Sequence, residues 1–277
     1  VVASAAPTAW EGRSMPRRPA AVGGGGRGGG GGGAGGRGGG GGGEGGRAER
    51  RAEWGGGAQC AGRRGGPTTD AAAAPGPPDE AALPDADGAR VAFWANVYNA
   101  AVRARLRENP DRLRGPTRHV FFARSAVTVA GHDLSPNGIE HGLLRGSRLA
   151  VGLGYLPRPR PDAFERAHRV RDPDPRVHFA LNCGAASCPV LRAYDADAID
   201  AQLDAAARTP LAETVRYDRR TDTVTVPRIL LWFRGDFGGL AGVWALLDRY
   251  DALPPGASAG SRLRYAPYDW SVALGGE

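Results

Sequence analysis

The sequence predicts an α+β domain, and three observations carry that prediction. A long segment has apolar residues at three- and four-residue steps, several short segments alternate or pair like hairpin strands, and the two kinds do not follow a regular βαβ order. The expected architecture is a single compact domain of several helices with a small, mostly antiparallel sheet. It is preceded by a Gly/Arg-rich leader: residues 1–84 are assigned to the leader and 85–277 to the folded domain. Residues 23–46 are glycine broken only by Arg27, Ala34, Arg37 and Glu44. Such a tract has almost nothing to bury against the entropy of ordering, so disorder is expected there.

Residues 89–109 are predicted helical, with Val91, Trp94, Tyr98, Ala101 and Val102 forming an apolar stripe. Asp87 is the expected cap, and Asn109-Pro110 the stop. Asn96 and Asn99 share an edge of this helix and need partners. Residues 118–130 suggest two short strands with Val120, Phe121, Val127 and Val129 inward. Ser135-Pro136 has the form of a helix start leading to Ile139, Glu140, His141, Leu143 and Leu144. Residues 152–174 form a long connection with one helical turn near Phe164. Residues 176–182 alternate like a strand, Val177, Phe179 and Leu181 facing one side. Gly184 then permits a sharp turn.

Asp195 or Asp197 is expected to cap a helix containing Ile199, Leu203 and Ala207. A hairpin follows over 214–226 with Asp222 near its turn. Residues 227–233 and 239–250 are predicted helical around a glycine-rich bend. A last strand is expected at 262–265. Trp94, Trp232, Trp244 and Trp270 are assigned to the core.

Composition narrows the function classes. The net charge is +7, all of the basic side chains are arginine, and the excess is spread over both regions. Arg27, Arg37 and Arg47 stand ten residues apart with no aromatic between them, unlike closely spaced RNA-binding Arg/Gly segments, so nucleic acid is not an expected partner. No apolar run approaches the ~20 residues of a membrane span. There is no secretory apolar region near the start. The acid-poor first 22 residues, with Arg13, Arg17 and Arg18, have the composition of a transit peptide. Three cysteines, Cys60 among them in the leader, do not make a secreted disulfide framework, which favours a soluble cytoplasmic or organellar protein.

The chemistry concentrates in the segment His178-Phe-Ala-Leu-Asn-Cys183-Gly-Ala-Ala-Ser-Cys188-Pro189. Thiol and imidazole suit nucleophilic, redox or metal chemistry near neutral pH. The favoured expectation is a thiol-dependent hydrolase or acyltransferase acting on a small-molecule or peptide substrate. Cys183 is the nucleophile and His178 the base; Cys188 is the rival nucleophile and His141 the rival base. Asn99 is the polar orienter. Asn96 or Asn182 could also orient the histidine or donate to an oxyanion. Three alternatives stand beside it. His141, His178, Cys183 and Cys188 make a possible His2Cys2 zinc set. Cys183 and Cys188 could pair as a disulfide across a short loop, though their spacing is not CxxC. In a non-catalytic interaction module with a protein partner, the same residues would form a packed structural centre. No dinucleotide or phosphate-loop fingerprint occurs, so no cofactor is called for.

Five elements, at residues 93–100, 139–145, 174–189, 231–238 and 268–270, together resemble the DUF547 family. Phe93-Trp-Ala-Asn-Val-Tyr-Asn-Ala100 is similar to its FWxNxYNA opening, and Ile139-Glu-His-Gly-Leu-Leu-Arg145 to its IEHxxLR element. Residues 174–189 are similar to its most distinctive signature. Leu231-Trp-Phe-Arg-Gly-Asp-Phe-Gly238 and Tyr268-Asp-Trp270 echo its later aromatic segments. Pro210, Ala186 and Gly235 depart from residues common in the family and leave the His178/Cys183/Cys188 set intact. The family occurs as bacterial single-domain proteins and as the C-terminal part of plant proteins with a coiled-coil segment, and its function is unknown. The resemblance therefore implies a fold and a site. The Cys/His/Asn types are also those of papain-like and transglutaminase-like hydrolases, by analogy alone, since the motif order differs.

Overall fold

The computed structural model describes residues 79–273, and most of the leader, residues 1–78, lies outside them. Within the described residues a 3-10 turn at Glu80–Ala82 precedes the first helix. Helix α1, Asp87–Glu108, buries Val91, Trp94, Tyr98, Val102 and Leu106 along its stripe. Asp87 does not cap it. Its carboxylate instead accepts the backbone N–H groups of Arg171 (3.1 Å) and Asp172 (2.8 Å), tying the helix start to a distant loop. Asn109 ends the helix as expected, its side chain accepting the N–H of Asp111.

The first of the two strands expected over 118–130 is a helix, α2, Thr117–Ala123. Pro116 enters it with helical φ and ψ. Arg105 closes its far end, donating to the carbonyls of Phe121 (2.9 Å) and Arg124 (3.0 Å). This tertiary cap outweighs the strand propensity of Val-Phe-Phe. Phe121 is buried while Val120 is 49% exposed, so Val120 does not face inward. The hairpin comes later, pairing β1, Val127–Val129, with β2, His132–Leu134.

Ser135 accepts the N–H of Gly138 at 3.0 Å and starts the next helix as expected. Its body, Gly138–Leu144, is wound as a π-helix, with Arg145 N–H bonded to Glu140 and Ser147 N–H to Gly142. Helix α3, Ala163–His168, is the helical turn around Phe164.

Residues 176–182 are not a strand. Pro175–Phe179 is a 3-10 helix opened by Asp174, whose side chain accepts the N–H of Arg176. The apparent polar face is buried too. The Arg176 side chain, 2% exposed, binds Asp174 (2.6 Å), Asp200 (2.5 Å) and Asp204 (2.7 Å). Alternation in the sequence therefore reflects ion pairing inside the protein rather than a solvated face.

Helix α4, Ile199–Thr214, follows a turn capped by Asp195. The hairpin β3, Arg216–Asp218, and β4, Thr223–Val226, is antiparallel, with Asp222 in its turn at φ 47°. Strand β5, Arg262–Tyr265, adds parallel to β4 and completes a three-stranded sheet. Helix α5, Ile229–Trp232, is short, and α6 spans Gly239–Arg249.

Two apolar clusters result. One gathers α1 with Leu143, Leu144 and Val177, the other α4, β4 and α6 with Phe179 and Phe237. Trp94 and Trp244 belong to them; Trp232 and Trp270 are only half-buried, a correction to their core assignment. Among the described residues no helix is long and apolar enough to cross a membrane.

The Arg176 hub carries the first prediction. Arg176→Met keeps the apolar stem but leaves Asp174 without its guanidinium partner and Asp204 with Arg249 alone. Unfolding in urea is expected to show a loss of about 3 kcal/mol, the low end for breaking a buried pair because Asp200 is well solvated.

Candidate functional site

The π-helix and its C-cap, the 3-10 helix and the α5–α6 bend bring charged and polar groups to a common point. Arg145, 2% exposed, grips the Asp236 carboxylate with two bonds, Nε to Oδ2 at 2.6 Å and Nη2 to Oδ1 at 3.2 Å. His178 Nε2 meets the same Oδ2 at 2.8 Å. Its ring lies flat on Phe233, centroids 3.8 Å apart and planes at 11°. His141 Nδ1 faces Arg145 Nη1 at 2.8 Å. These partners dictate the tautomers: His178 donates from Nε2, and His141 accepts at Nδ1.

Burial pulls the Asp236 carboxyl upward, but the bond and charge of His178 and the Arg145 guanidinium override it and hold it at about 2. Burial lowers His178 below the ordinary imidazole value, against Asp236, which raises it. His141 lies further below, pushed by burial and by Arg145. Both rings are therefore neutral at neutral pH.

Glu140 sits between them. Its Oε1 is 3.8 Å from His141 Nδ1 and 4.0 Å from His178 Nδ1. The latter nitrogen is buried and has no hydrogen-bond partner. Burial raises the Glu140 carboxyl to about 7, against the lowering effects of Arg145 and of a hydrogen bond from Tyr98. A buried carboxyl near 7 is poised to give or take a proton under ordinary conditions.

The thiols form a second cluster. The Cys183 and Cys188 sulfurs are 2.6 Å apart, and the Tyr268 hydroxyl lies 3.4 Å from the first and 3.3 Å from the second. Cys188 Sγ also accepts the N–H of Cys183 at 3.0 Å. Gly184, at φ +83°, makes the turn between them. The loop is pinned from several sides. Asn182 accepts the N–H of Gly184 (2.8 Å) and donates to Pro189 O (2.7 Å). Ala186 and Ser187 donate to the carbonyls of Ser271 and Asp269, and Ala273 donates to Gly184, so the last described segment straps the loop down.

The expected site residues thus fall in two groups. Cys183 and Cys188 come together, and His178 and His141 come together, but the sulfurs' partners are each other, Tyr268 and backbone N–H. Asn99 orients no imidazole. Its amide donates to Ala180 O (3.1 Å) and accepts the N–H of Asn182 (2.8 Å), fixing the backbone that enters the thiol loop. Asn96 holds Tyr194 in the same way. Among the described residues no group of three or more His, Cys, Asp or Glu side chains is arranged to hold a metal ion, so the four His and Cys side chains do not assemble as a zinc centre.

Tyr98 stands between the groups, hydrogen-bonded to Glu140 and raised by the negative charge of Glu140, Cys183 and Cys188 after burial itself. Glu140, Tyr98, Asp236 and Tyr268 are the members that sequence reasoning left to structural roles. Their one signal was position inside the repeated family elements.

Proton balance fixes the sign of a pH effect. Below the ordinary 6.5, each depressed imidazole binds fewer protons in the folded chain than in the unfolded one, and stability falls on acidification. Glu140 acts oppositely between about 7 and its ordinary 4.5, since the folded chain keeps a proton the unfolded one has released. Between the ordinary 4.5 of the carboxyl and the ordinary 6.5 of the imidazoles, Glu140 thus offsets the loss that His141 and His178 cause on acidification. Asp236 adds its own loss only below the ordinary 3.8. Glu140→Gln removes the offset, so in urea titrations the unfolding free energy is expected to fall more steeply on acidification from pH 6.5 to 4.5 than in the native chain.

Comparison with curated proteins and with solved structures found no match. Residues 86–209 match the family model described as "Protein of unknown function, DUF547". That stretch runs from the start of α1 into α4 and holds both thiols, both imidazoles, Glu140 and Arg145, and over it the chain matches the DUF547 family.

Proposed function

We propose that this DUF547 domain is a thiol-dependent transferase or hydrolase and that Cys188 is its nucleophile. The observation that carries this reading is the environment of one sulfur. Cys188 Sγ receives the Cys183 thiol, the Cys183 N–H and the Tyr268 hydroxyl while bordering open space. Burial pulls its thiol up, but these donors override burial and hold it at about 7. The hydrogen bond to Cys188 and burial push Cys183 the other way, so it remains a thiol. A thiolate stabilised by fixed donors needs no imidazole in contact with it.

Space supports the same assignment. Cys188 lines a cavity of about 200 Å³ with Phe179, Pro227, Ile229, Pro267 and Tyr268. It also lines a second of about 450 Å³ with Asn99, Leu106, Asn182 and Leu191. Cys183 lines neither. A nucleophile on the ridge between two cavities can take an acyl group from one side and pass it to an acceptor on the other. Glu140 serves as proton reservoir through Tyr98, with which it shares a hydrogen bond.

A second reading, docking of a protein partner, is favoured by exposed apolar side chains around the 147–157 loop: Val151 (67%), Tyr155 (48%), Leu156 (46%) and nearby Leu240 (50%). Under it, replacing the thiols leaves partner binding unchanged.

Iodoacetamide labelling of the full chain, mapped by peptide mass spectrometry, separates Cys188 from Cys183 and Cys60. Cys188 is expected to alkylate first, with a midpoint at about pH 7. p-Nitrophenyl acetate is expected to leave an acetyl group on Cys188 and to leave none in Cys188→Ala. Labelling of both site thiols only after denaturation would sink the proposal.

A further inference from the structure

We infer that Cys183 and Cys188 are a redox dithiol and that the domain carries out thiol–disulfide exchange with small disulfides. The inference rests on Cys188 as the reactive thiol and adds a role for Cys183 that acyl transfer does not use. Two sulfurs in contact at 2.6 Å are already placed for bond formation. They stand on a loop whose backbone is fixed at both ends. Asn182 joins Gly184 to Pro189, and the bonds from 269–273 hold Gly184, Ala186 and Ser187. The pair cannot drift apart without breaking that frame. The two sulfurs are also unequal: one borders both cavities and is held as the better thiolate, the other is turned away from them. Such asymmetry divides the work of exchange between an attacking and a resolving thiol.

The step balances without an outside oxidant. The Cys188 thiolate attacks one sulfur of a disulfide RSSR, breaking the S–S bond, forming a mixed disulfide and expelling RS⁻. Cys183 then loses its proton, attacks the Cys188 sulfur and expels the second thiolate. One RS⁻ and one RSH leave, the substrate gains two electrons, and the protein keeps a Cys183–Cys188 disulfide. Closing so short a loop removes little chain entropy, so the bond adds little stability and is readily reduced again by another dithiol. The Tyr268 hydroxyl, bonded to both sulfurs, can follow the charge from one to the other.

Oxidised glutathione serves as the probe, with the full chain and peptide mapping to set Cys60 apart. The native protein is expected to end with a Cys183–Cys188 disulfide and no retained glutathione. Cys183→Ser is expected to accumulate glutathione on Cys188. Cys188 is expected to react about sixfold faster than an ordinary thiol at pH 7, its larger thiolate fraction being partly offset by lower intrinsic nucleophilicity. Equilibration of the native protein in mixtures of reduced and oxidised dithiothreitol gives a second readout that needs no variant. If glutathione stays bound to the native protein and no internal disulfide forms in either buffer, the inference is overturned. Should Cys188 still take an acetyl group in that case, the nucleophile assignment stands without the exchange; if it takes neither, both fall.

Discussion

The structure depends on the carboxylate of Asp236, because it ties together two apolar clusters that otherwise meet along α4, which gives Leu203 to one and Ala206, Ala207 and Leu211 to the other. Arg145 follows Leu143 and Leu144 of the first cluster, and Asp236 precedes Phe237 of the second. His178 stands between Val177, which packs in the first, and Phe179, which packs in the second. The ion pair therefore lies on the seam. Burying those charges is costly, and it is tolerated because both carboxylate oxygens meet donors of Arg145 or His178. Two Arg145 bonds and one His178 bond fill the carboxylate, and Leu149 O takes a remaining guanidinium donor.

That seam also explains why the polar groups beside it are unusual. A residue between two apolar clusters loses its water without gaining a solvated neighbour. Glu140 rises, both imidazoles fall, and one imidazole nitrogen keeps no partner. The thiol loop is built differently, by backbone hydrogen bonds from Asn99, Asn182 and the strap, which give rigidity without adding charge.

Much of this architecture was legible from local pattern. The stripe of α1, the β3–β4 hairpin and α6 fall where periodicity and turn residues put them, because their contacts are patterned locally, and β5 falls where alternation put it although its partner β4 lies far earlier in the chain. The errors have a common cause. Residues 176–182 alternate like a strand, yet Arg176 is consumed by carboxylates from α4 as well as its neighbour, and no strand is there to pair with. α2 forms because an arginine from α1 caps it. The site shows the same limit. Cys183 and Cys188 are legible as a pair, and Gly184 as their turn, since all three lie in one motif. Tyr268 meets them across 80 residues or more, and Asp236 meets Arg145 across 91, distances over which spacing carries no signal.

The strap of residues 269–273 sets the outer boundary of the thiol cluster. The family match stops at residue 209, with both sulfurs inside it. The phenol that bridges them, the carboxylate that fixes His178 and the backbone that frames their loop all come afterwards. A chain shortened to the recognisable stretch would retain every thiol of the motif and forfeit the scaffold that makes those thiols different from each other.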